Sequence, residues 1–174
     1  MKWEFKHNYF SNSKIEVLIT RYEQMLKNGL HYYFDVEDFD QIVEYYLDFD
    51  QTRKALKALR YAFQLHPDAL PLMIKKAQIH LKNKHPEKAL NALQTIEKIE
   101  SSNTDIYLTK GHAHLLLGDL EETQRFYNKA LTLVDDEDEI MDMLQNIAQT
   151  FQFSKVYKEA IRYLLQAYEL DREN

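Results

Sequence analysis

Apolar side chains recur along the chain with the spacing of amphipathic helices. Phe39, Ile42, Val43 and Tyr46 stand at positions i, i+3, i+4 and i+7, which places them on one face of a helix. After a short polar break a second stripe begins at Ala55, and pairs of such stripes continue along the rest of the chain. The pattern predicts helices over residues 36–48, 52–65, 70–83, 87–98, 104–117, 120–133, 138–152 and 156–170.

The second helix of each pair carries a motif of the form small-x-x-x-large-x-x-small. Its first positions are Ala55, Ala89, Thr123 and Ala160, so successive copies lie 34, 34 and 37 residues apart. A period of this length is typical of a solenoid, in which one supersecondary unit is repeated and stacked. Small residues let two antiparallel helices approach closely, and the large residue fills the adjacent groove. The spacing therefore predicts an all-α solenoid of antiparallel helix hairpins.

The full pattern resembles that of the tetratricopeptide repeat family, which reads aromatic-x-x-Leu-small-x-x-aromatic, then Ala-x-x-x-large-x-x-Ala, and often a closing Pro. The first copy fits it with Phe39, Ile42, Val43, Tyr46, Ala55, Leu59, Ala62 and Pro67. The Trp of the motif is absent, and the closing Pro occurs once. The resemblance implies an α-α superhelix, a non-catalytic role in binding a protein or peptide, and four repeats, at 36–69, 70–103, 104–137 and 141–174.

Residues 1–35 precede the repeats and carry a helical stripe of their own. Apolar residues from Ile15 to Leu26 share one face, and Lys27-Asn28-Gly29 marks a helix end. We expect a helix over 13–28 that caps the first repeat and forms one domain with the repeats. The segment is rich in aromatic residues that we interpret as cap packing. The alternative is a peptide-binding patch made of Trp3, Phe5, Tyr9, Phe10, Tyr32, Tyr33 and Phe34.

Composition narrows the classes of partner. The 174 residues include 22 Lys and Arg against 28 Asp and Glu, a formal charge of −6, which argues against a nucleic-acid partner. No segment approaches the roughly 20 apolar residues of a membrane span, and the first ten residues lack a secretory signal pattern. The absence of cysteine removes disulfides, thiolate metal sites and cysteine nucleophiles. We therefore expect a cytoplasmic protein without a membrane or nucleic-acid partner.

The spacing of the candidate metal-binding residues does not fit a metal site. His112 and His114 are two residues apart, so on a helix they point about 200° apart and do not converge on one metal ion. His80 and His114 fall where Phe151 stands in the fourth repeat, and we expect packing roles for both. The acidic run 135–139 lacks the spacing and the Gly of a calcium loop and is interpreted as a helix start. We expect no enzyme activity, no cofactor and no bound metal.

The resemblance also implies a concave groove lined by the first helix of each repeat. This groove would be acidic at its N-terminal end, apolar in the middle and rich in amides at the far end. Its predicted lining residues are Glu37, Asp40, Glu44, Asp48, Ile74, Gln78, Lys82, Leu108, His112, Gln145, Gln149 and Phe153. Family members that hold the carboxylate of chaperone C-termini use basic and amide residues, whereas Asp40 and Glu44 are acidic here. Our hypothesis is that the groove receives a basic or amphipathic segment; the alternative is an acidic face that only aids solubility.

The last predicted helix has an apolar face, formed by Ile161, Leu165 and Tyr168, that no later helix of the sequence covers. Two explanations are open: a longer natural chain, or two copies that cover each other's ends. We favour a longer chain whose shortened form self-associates end to end. The second functional hypothesis is therefore a structural assembly module that forms homo-oligomers through this end.

Overall fold

The computed structural model describes residues 13–173, and all regular structure in that range is α-helical. The helices are α1 (Ser13–Asn28), α2 (Val36–Asp48), α3 (Thr52–Leu65), α4 (Leu70–Lys82), α5 (Pro86–Glu97), α6 (Thr104–Leu117), α7 (Leu120–Leu131), α8 (Glu137–Phe153) and α9 (Tyr157–Glu173). The all-α prediction is confirmed, and the predicted bounds agree with these to within about three residues. The aromatic residues predicted at positions 3, 5, 9 and 10 of the cap lie outside the described range.

The described helices fall into two compact units, with a boundary between Leu72 and Met73, inside α4. We call them the N-terminal unit, which contains α1 to α3, and the C-terminal unit, which contains α5 to α9 and most of α4. Helix α2 packs with α3, α6 with α7 and α8 with α9, as the repeat spacing predicts. The grouping of all four repeats with residues 1–35 in one domain stays a prediction.

In the N-terminal unit, α1 packs against α2 through aromatic side chains. Tyr22 is almost completely buried, and its ring centroid lies 5.8 Å from that of Phe34 and 6.4 Å from those of Phe39 and Tyr46. Phe34 therefore packs as the cap interpretation expects, whereas Tyr33 is 69% exposed. The helix predicted over 13–28 is present, and it covers part of the first repeat.

A polar contact at the surface links α1 to both α2 and α3. Glu23 on α1 accepts a hydrogen bond from the Tyr46 hydroxyl at 3.1 Å and pairs with the Lys54 ammonium on α3 at 3.0 Å. The hydrogen bond from Lys54 holds the pKa of the Glu23 carboxyl below its usual value. The contact fixes α1 in register on the first hairpin.

The core of the C-terminal unit is built around three aromatic rings. Phe151 of α8 is fully buried, with its ring centroid 5.6 Å from that of Tyr127 and 5.5 Å from that of Tyr163. These rings join α7, α8 and α9 in one apolar cluster. Aromatic pairs at these separations contribute beyond the area that they bury, so this cluster is the packing centre of the unit.

One glycine lets α6 and α7 approach closely. A Cβ atom placed on Gly111 would lie 2.5 Å from Cδ1 of Tyr127, which is shorter than any normal carbon contact. Gly111 occupies the repeat position where Val43, Ala77 and Ala148 stand, so the requirement for a small residue is strictest in the third repeat. The side chain of Tyr127 fills the space that the missing Cβ leaves.

The turn inside every hairpin uses a left-handed backbone at the same repeat position. Asp50, Lys84, Gly118 and Lys155 have φ angles of 55°, 58°, 80° and 61°. Their spacing of 34, 34 and 37 residues is that of the repeat itself. Only Gly118 is a residue that adopts this conformation without strain. The other three turns therefore carry a backbone cost that the packing of the hairpins offsets.

Short polar side chains cap several of the helices. Asp35 and Asp38 form a capping box at α2, and Asn103 and Asp119 cap α6 and α7. Asp136 accepts a hydrogen bond from the backbone of Glu139 at 2.9 Å, and Glu137, Asp138 and Glu139 lie in the first turn of α8. The helix-start interpretation of residues 135–139 is confirmed.

Candidate functional site

The C-terminal unit contains a cleft of about 470 Å³ between α4, α6, α7 and α8, which we call the groove cleft. Four of the predicted groove residues line it: Gln78, Lys82, Leu108 and His112. The wall is completed by Leu81, Asp105, Thr109, Tyr127, Asn146, Ile147 and Thr150. The four predicted residues lie on α4 and α6, and side chains of α7 and α8 line the rest of the cleft together with their neighbours on α4 and α6.

Hydrogen-bonding groups surround an apolar floor in the groove cleft. Burial lowers the pKa of His112, so its imidazole is neutral at neutral pH and offers one donor and one acceptor. Tyr127 is 2% exposed, and its hydroxyl has no hydrogen-bond partner among the described residues. Burial, and then the neighbouring Tyr163, raise the pKa of Tyr127, so the hydroxyl stays protonated. Such an arrangement can bind the backbone and an apolar side chain of an extended segment.

Sequence reasoning missed Tyr127 as a site residue. It was assigned only as the large residue of the third motif copy, which fills a groove between helices. The signal was present in the residue type, because the equivalent residues Leu59, Leu93 and Leu164 have no hydroxyl.

A second cleft of about 630 Å³, which we call the end cleft, lies between α8 and α9. The predicted groove residues Gln145 and Gln149 line it together with Tyr168, a residue predicted for the self-association end. The outer face of α9 is open around it: Ile161, Leu165 and Tyr168 are 57%, 55% and 57% exposed. The structure thus places amide groups beside an exposed apolar face.

The predicted acidic residues lie in the N-terminal unit, on α2. Glu37 lines a recess of about 530 Å³ with Asp38, and Lys14 and Arg21 from α1 line the same recess. These two cations were missed, although their spacing of seven residues puts them on one face of a helix. Asp40 and Glu44 are half-buried and Asp48 is exposed.

Ile74 and Phe153 differ from the other predicted groove residues. Ile74 is only 3% exposed, so a partner cannot reach its side chain. Phe153 is 47% exposed at the end of α8. Ile74 therefore drops out of the candidate site.

The two neighbouring histidines lie on different faces of α6. His112 lines the groove cleft, whereas His114 stacks on Phe126, with ring centroids 5.3 Å apart. The packing role predicted for His114 is confirmed. Within residues 13–173, no three acidic or histidine side chains are close enough together to hold a metal ion. None of the described helices combines the length and the apolar character that crossing a membrane requires.

Solved structures with the same fold include a thermophilic TPR protein of Thermus thermophilus. It superposes with a TM-score of 0.68 and 17% identity over 92% of this chain and 85% of that chain. A MamA crystal structure gives a TM-score of 0.61 and 16% identity over 99% of this chain and 98% of that one. The structure "MamA 41-end from Desulfovibrio magneticus RS-1" gives a TM-score of 0.58 and 19% identity over 93% of this chain and 97% of that chain. At these identities the likeness shows the fold alone, and it confirms the prediction of a helix-hairpin solenoid.

Sequence comparisons point to the same family. A search of curated proteins gives no match. Two family models, both described as tetratricopeptide repeat, match residues 46–101 and 103–173, which together make up well over half of the chain. The repeat period, the hairpins and these matches agree, and the chain belongs to the tetratricopeptide repeat family.

Proposed function

We propose that this protein is a non-catalytic interaction scaffold that binds an extended segment of a partner protein in the groove cleft. The observation that carries the proposal is the cleft itself, whose lining brings together Gln78, His112 and Tyr127, a residue with a buried hydroxyl that has no partner among the described residues. An unpaired buried hydroxyl costs roughly 1–3 kcal/mol, which a carbonyl group of a bound segment would offset. The neutral His112 supplies a second hydrogen bond close by.

A peptide library tests this proposal without knowledge of the natural partner. Random peptides displayed on phage are selected on the full chain, and the affinities of the enriched peptides are measured. We expect Gln78→Ala/His112→Ala to weaken binding about tenfold or more, since it removes two hydrogen-bonding side chains from helices that tolerate alanine. Gln166→Ala on the exposed face of α9 is the control. Peptides that bind the double variant as tightly as the unchanged protein would rule out the groove cleft.

The partner segment is proposed to be basic or amphipathic. Residues 35–50 contain seven acids and no Lys or Arg, and Asp40 and Glu44 present carboxylates on α2. Lys14 and Arg21 already line the recess at Glu37. We therefore expect the acidic residues to raise the association rate of a basic partner and to orient it, and to add little affinity through new ion pairs. Enriched peptides should carry excess Lys and Arg and bind more weakly at high salt. Undiminished binding of such peptides to Asp40→Lys/Glu44→Lys would contradict the preference.

A second candidate function, self-association as an assembly module, is favoured by the exposure of α9. Ile161, Leu164, Leu165 and Tyr168 are each at least 50% exposed on one helix, and a contiguous apolar patch of this kind marks an interaction surface. Sedimentation velocity over a range of concentrations tests it. We expect the unchanged protein to associate as its concentration rises and Ile161→Gln/Leu165→Asn to stay monomeric. If the unchanged protein stays monomeric at high concentration, the assembly-module function is ruled out and the interaction scaffold is the one proposal left.

A further inference from the structure

A third recess of the C-terminal unit, about 310 Å³ in volume, lies between α5, α6 and α7, and we call it the basic recess. It shares no residue with the groove cleft or the end cleft. Its lining residues are Glu97, Tyr107, Lys110, Arg125, Phe126 and Lys129. Three cations thus face one carboxylate, in a chain whose formal charge is −6.

Lys110 stands where the repeat normally has an apolar residue. In the first and fourth repeats this position holds Ile42 and Ile147, which are almost fully buried. In the second repeat it holds the exposed Lys76, whereas Lys110 in the third is only 7% exposed. Its ammonium group pairs with the carboxylate of Glu97 on α5. The Lys110 side chain is buried and that of Glu97 is 31% exposed, and such a pair is generally no more stabilising than apolar side chains of similar volume. The lysine therefore brings a positive charge to a buried position that apolar side chains fill in the first and fourth repeats.

Two further cations stand on α7, four residues apart. The Arg125 guanidinium lies 4.6 Å from the ring centroid of Phe126 and pairs with Glu122 at 2.6 Å. The Lys129 ammonium lies 5.7 Å from the ring centroid of Tyr107, and no carboxylate of the described residues pairs with it. Like charges at this spacing on a helix repel each other. Glu122 offsets part of this repulsion, and an anion placed between the two cations relieves the rest.

The aromatic rings give the recess a fixed wall. Tyr107 and Phe126 are nearly parallel, with 19° between their planes and 6.5 Å between their centroids. The Tyr107 hydroxyl donates to the Ser101 carbonyl at 2.8 Å, which holds the ring in place. The wall fits the methylene groups of a side chain whose charged end reaches the cations. Preorganisation of this kind lowers the entropic cost of binding.

We propose that the basic recess binds an acidic segment of a partner protein, with a glutamate or aspartate carboxylate between Arg125 and Lys129 and the Lys110 ammonium behind it. Glu97 lies in the same recess, and it opposes a dianionic phosphate more strongly than a carboxylate with a single charge. The volume of about 310 Å³ also exceeds that of a small ion and accommodates a side chain. This site is separate from the groove cleft and stands without the function proposed there.

The test uses hexaglutamate labelled with fluorescein, followed by fluorescence anisotropy on the full chain at low salt. We expect binding that Arg125→Glu/Lys129→Glu weakens about tenfold or more, and that high salt also weakens. Lys155→Glu/Lys158→Glu makes the same change in net charge at exposed residues of the same unit. Equal loss in both variants would mean a general field effect and would overturn the proposal, as would no loss in the first.

A second variant separates binding from folding. Glu97→Gln/Lys110→Met replaces the buried pair by uncharged side chains of similar size, and we expect unchanged helical content by circular dichroism with hexaglutamate affinity lowered at least about threefold. Unchanged affinity would remove Lys110 from the site and with it the proposed arrangement.

Competitors and self-association identify the occupant. Unlabelled hexaglutamate should displace the probe, whereas hexalysine, and inorganic phosphate at the same concentration, should not. Displacement of the probe by phosphate at that concentration would mean that the recess binds a free anion and not an acidic segment. Self-association that Arg125→Glu/Lys129→Glu abolishes would instead assign the recess to a second copy of this chain. Either result overturns the proposal.

Discussion

The third and fourth hairpins, α6–α7 and α8–α9, share one pattern but differ in what covers them. Tyr127 on α7 is 2% exposed, whereas Leu164, at the same repeat position on α9, is 50% exposed. The equivalents Leu59 and Leu93 are also buried. Helix α8 packs against α7, and within residues 13–173 no later helix lies on α9. The exposure of Leu164 therefore follows from its place in the stack, not from its residue type.

The next repeat position shows a difference that the stack does not explain. Arg60, Gln94 and Asn128 are polar there, but α9 has Leu165, which is 55% exposed. An apolar residue at a position that is otherwise polar widens the open face of α9. The exposure of this face therefore reflects which described helices pack on α9, whereas the residue types on the face are particular to α9.

The interiors of the two hairpins differ as well. Where α8 has Ile147, Ala148 and Phe151, α6 has a lysine, a glycine and His114. The fourth hairpin is centred on a stacked aromatic core, and the third on a close helix approach with a polar edge. The same backbone pattern thus supports two kinds of packing, and three pairs of variants measure the difference.

The largest effect is expected at the position shared by Phe151 and His114. Phe151→Ala should lower the free energy of unfolding by about 3–5 kcal/mol, because it empties a fully buried site between two aromatic rings. His114→Ala should cost only about 1 kcal/mol, since its partly exposed ring stacks on one aromatic ring, Phe126, and otherwise contacts Asp119 at 3.5 Å. Urea unfolding followed by circular dichroism measures both. Equal costs would mean that the aromatic core is not the packing centre of the unit.

An intermediate change in the free energy of unfolding is expected at Gly111, with a sign opposite to that usual for glycine to alanine in a helix. Glycine to alanine inside a helix normally stabilises by about 1 kcal/mol. Gly111→Ala should instead destabilise by about 1–3 kcal/mol, because the new Cβ collides with the buried ring of Tyr127. Ala148→Gly, at the same position in the fourth hairpin, should cost about 1 kcal/mol from helix propensity. The same urea experiment applies, and stabilisation by Gly111→Ala would show that the two helices can separate freely.

The sequence predicted the helices and the small residues at their crossings because both depend on local periodicity. Gly111 and Ala148 were recognisable from their place in the repeat alone. The basic recess was not predicted, because the contact between Lys110 and Glu97 joins residues on different hairpins. Its existence depends on how α5 and α6 pack, and a period of 34 residues says nothing about that.

The charge on the acidic face of α2 was also only partly predictable from the sequence, because it depends on packing between α1 and α2. Seven acids between residues 35 and 50 indicated an acidic surface. Lys14 and Arg21 reach the recess at Glu37 only because α1 packs beside α2. Charge counted along one segment thus overstates the charge that a partner meets.

The smallest effects are expected at the hairpin turns, where Gly118 of the third hairpin corresponds to Lys155 of the fourth. Both have positive φ, 80° and 61°. A left-handed backbone costs a residue other than glycine about 1–2 kcal/mol, whereas glycine gains about 0.4–1 kcal/mol of additional unfolded-state entropy. Lys155→Gly should therefore stabilise the protein by about 0.5–1 kcal/mol, and Gly118→Ala should destabilise it by a similar amount. The new Cβ of Gly118→Ala meets no atom within 4 Å, so its cost comes from the backbone conformation and not from a steric clash.

Thermal unfolding checks this pair, with opposite shifts of roughly 2–4 °C for each kcal/mol. Lys84→Gly is the matched control, because Lys84 has a φ of 58° at the same position of the second hairpin. It should shift the midpoint in the same direction as Lys155→Gly. If both lysine variants lowered the midpoint, the lysine side chains would contribute more at these turns than the left-handed backbone costs. The turns would then differ between hairpins by side-chain contacts, as the interiors of the third and fourth hairpins do.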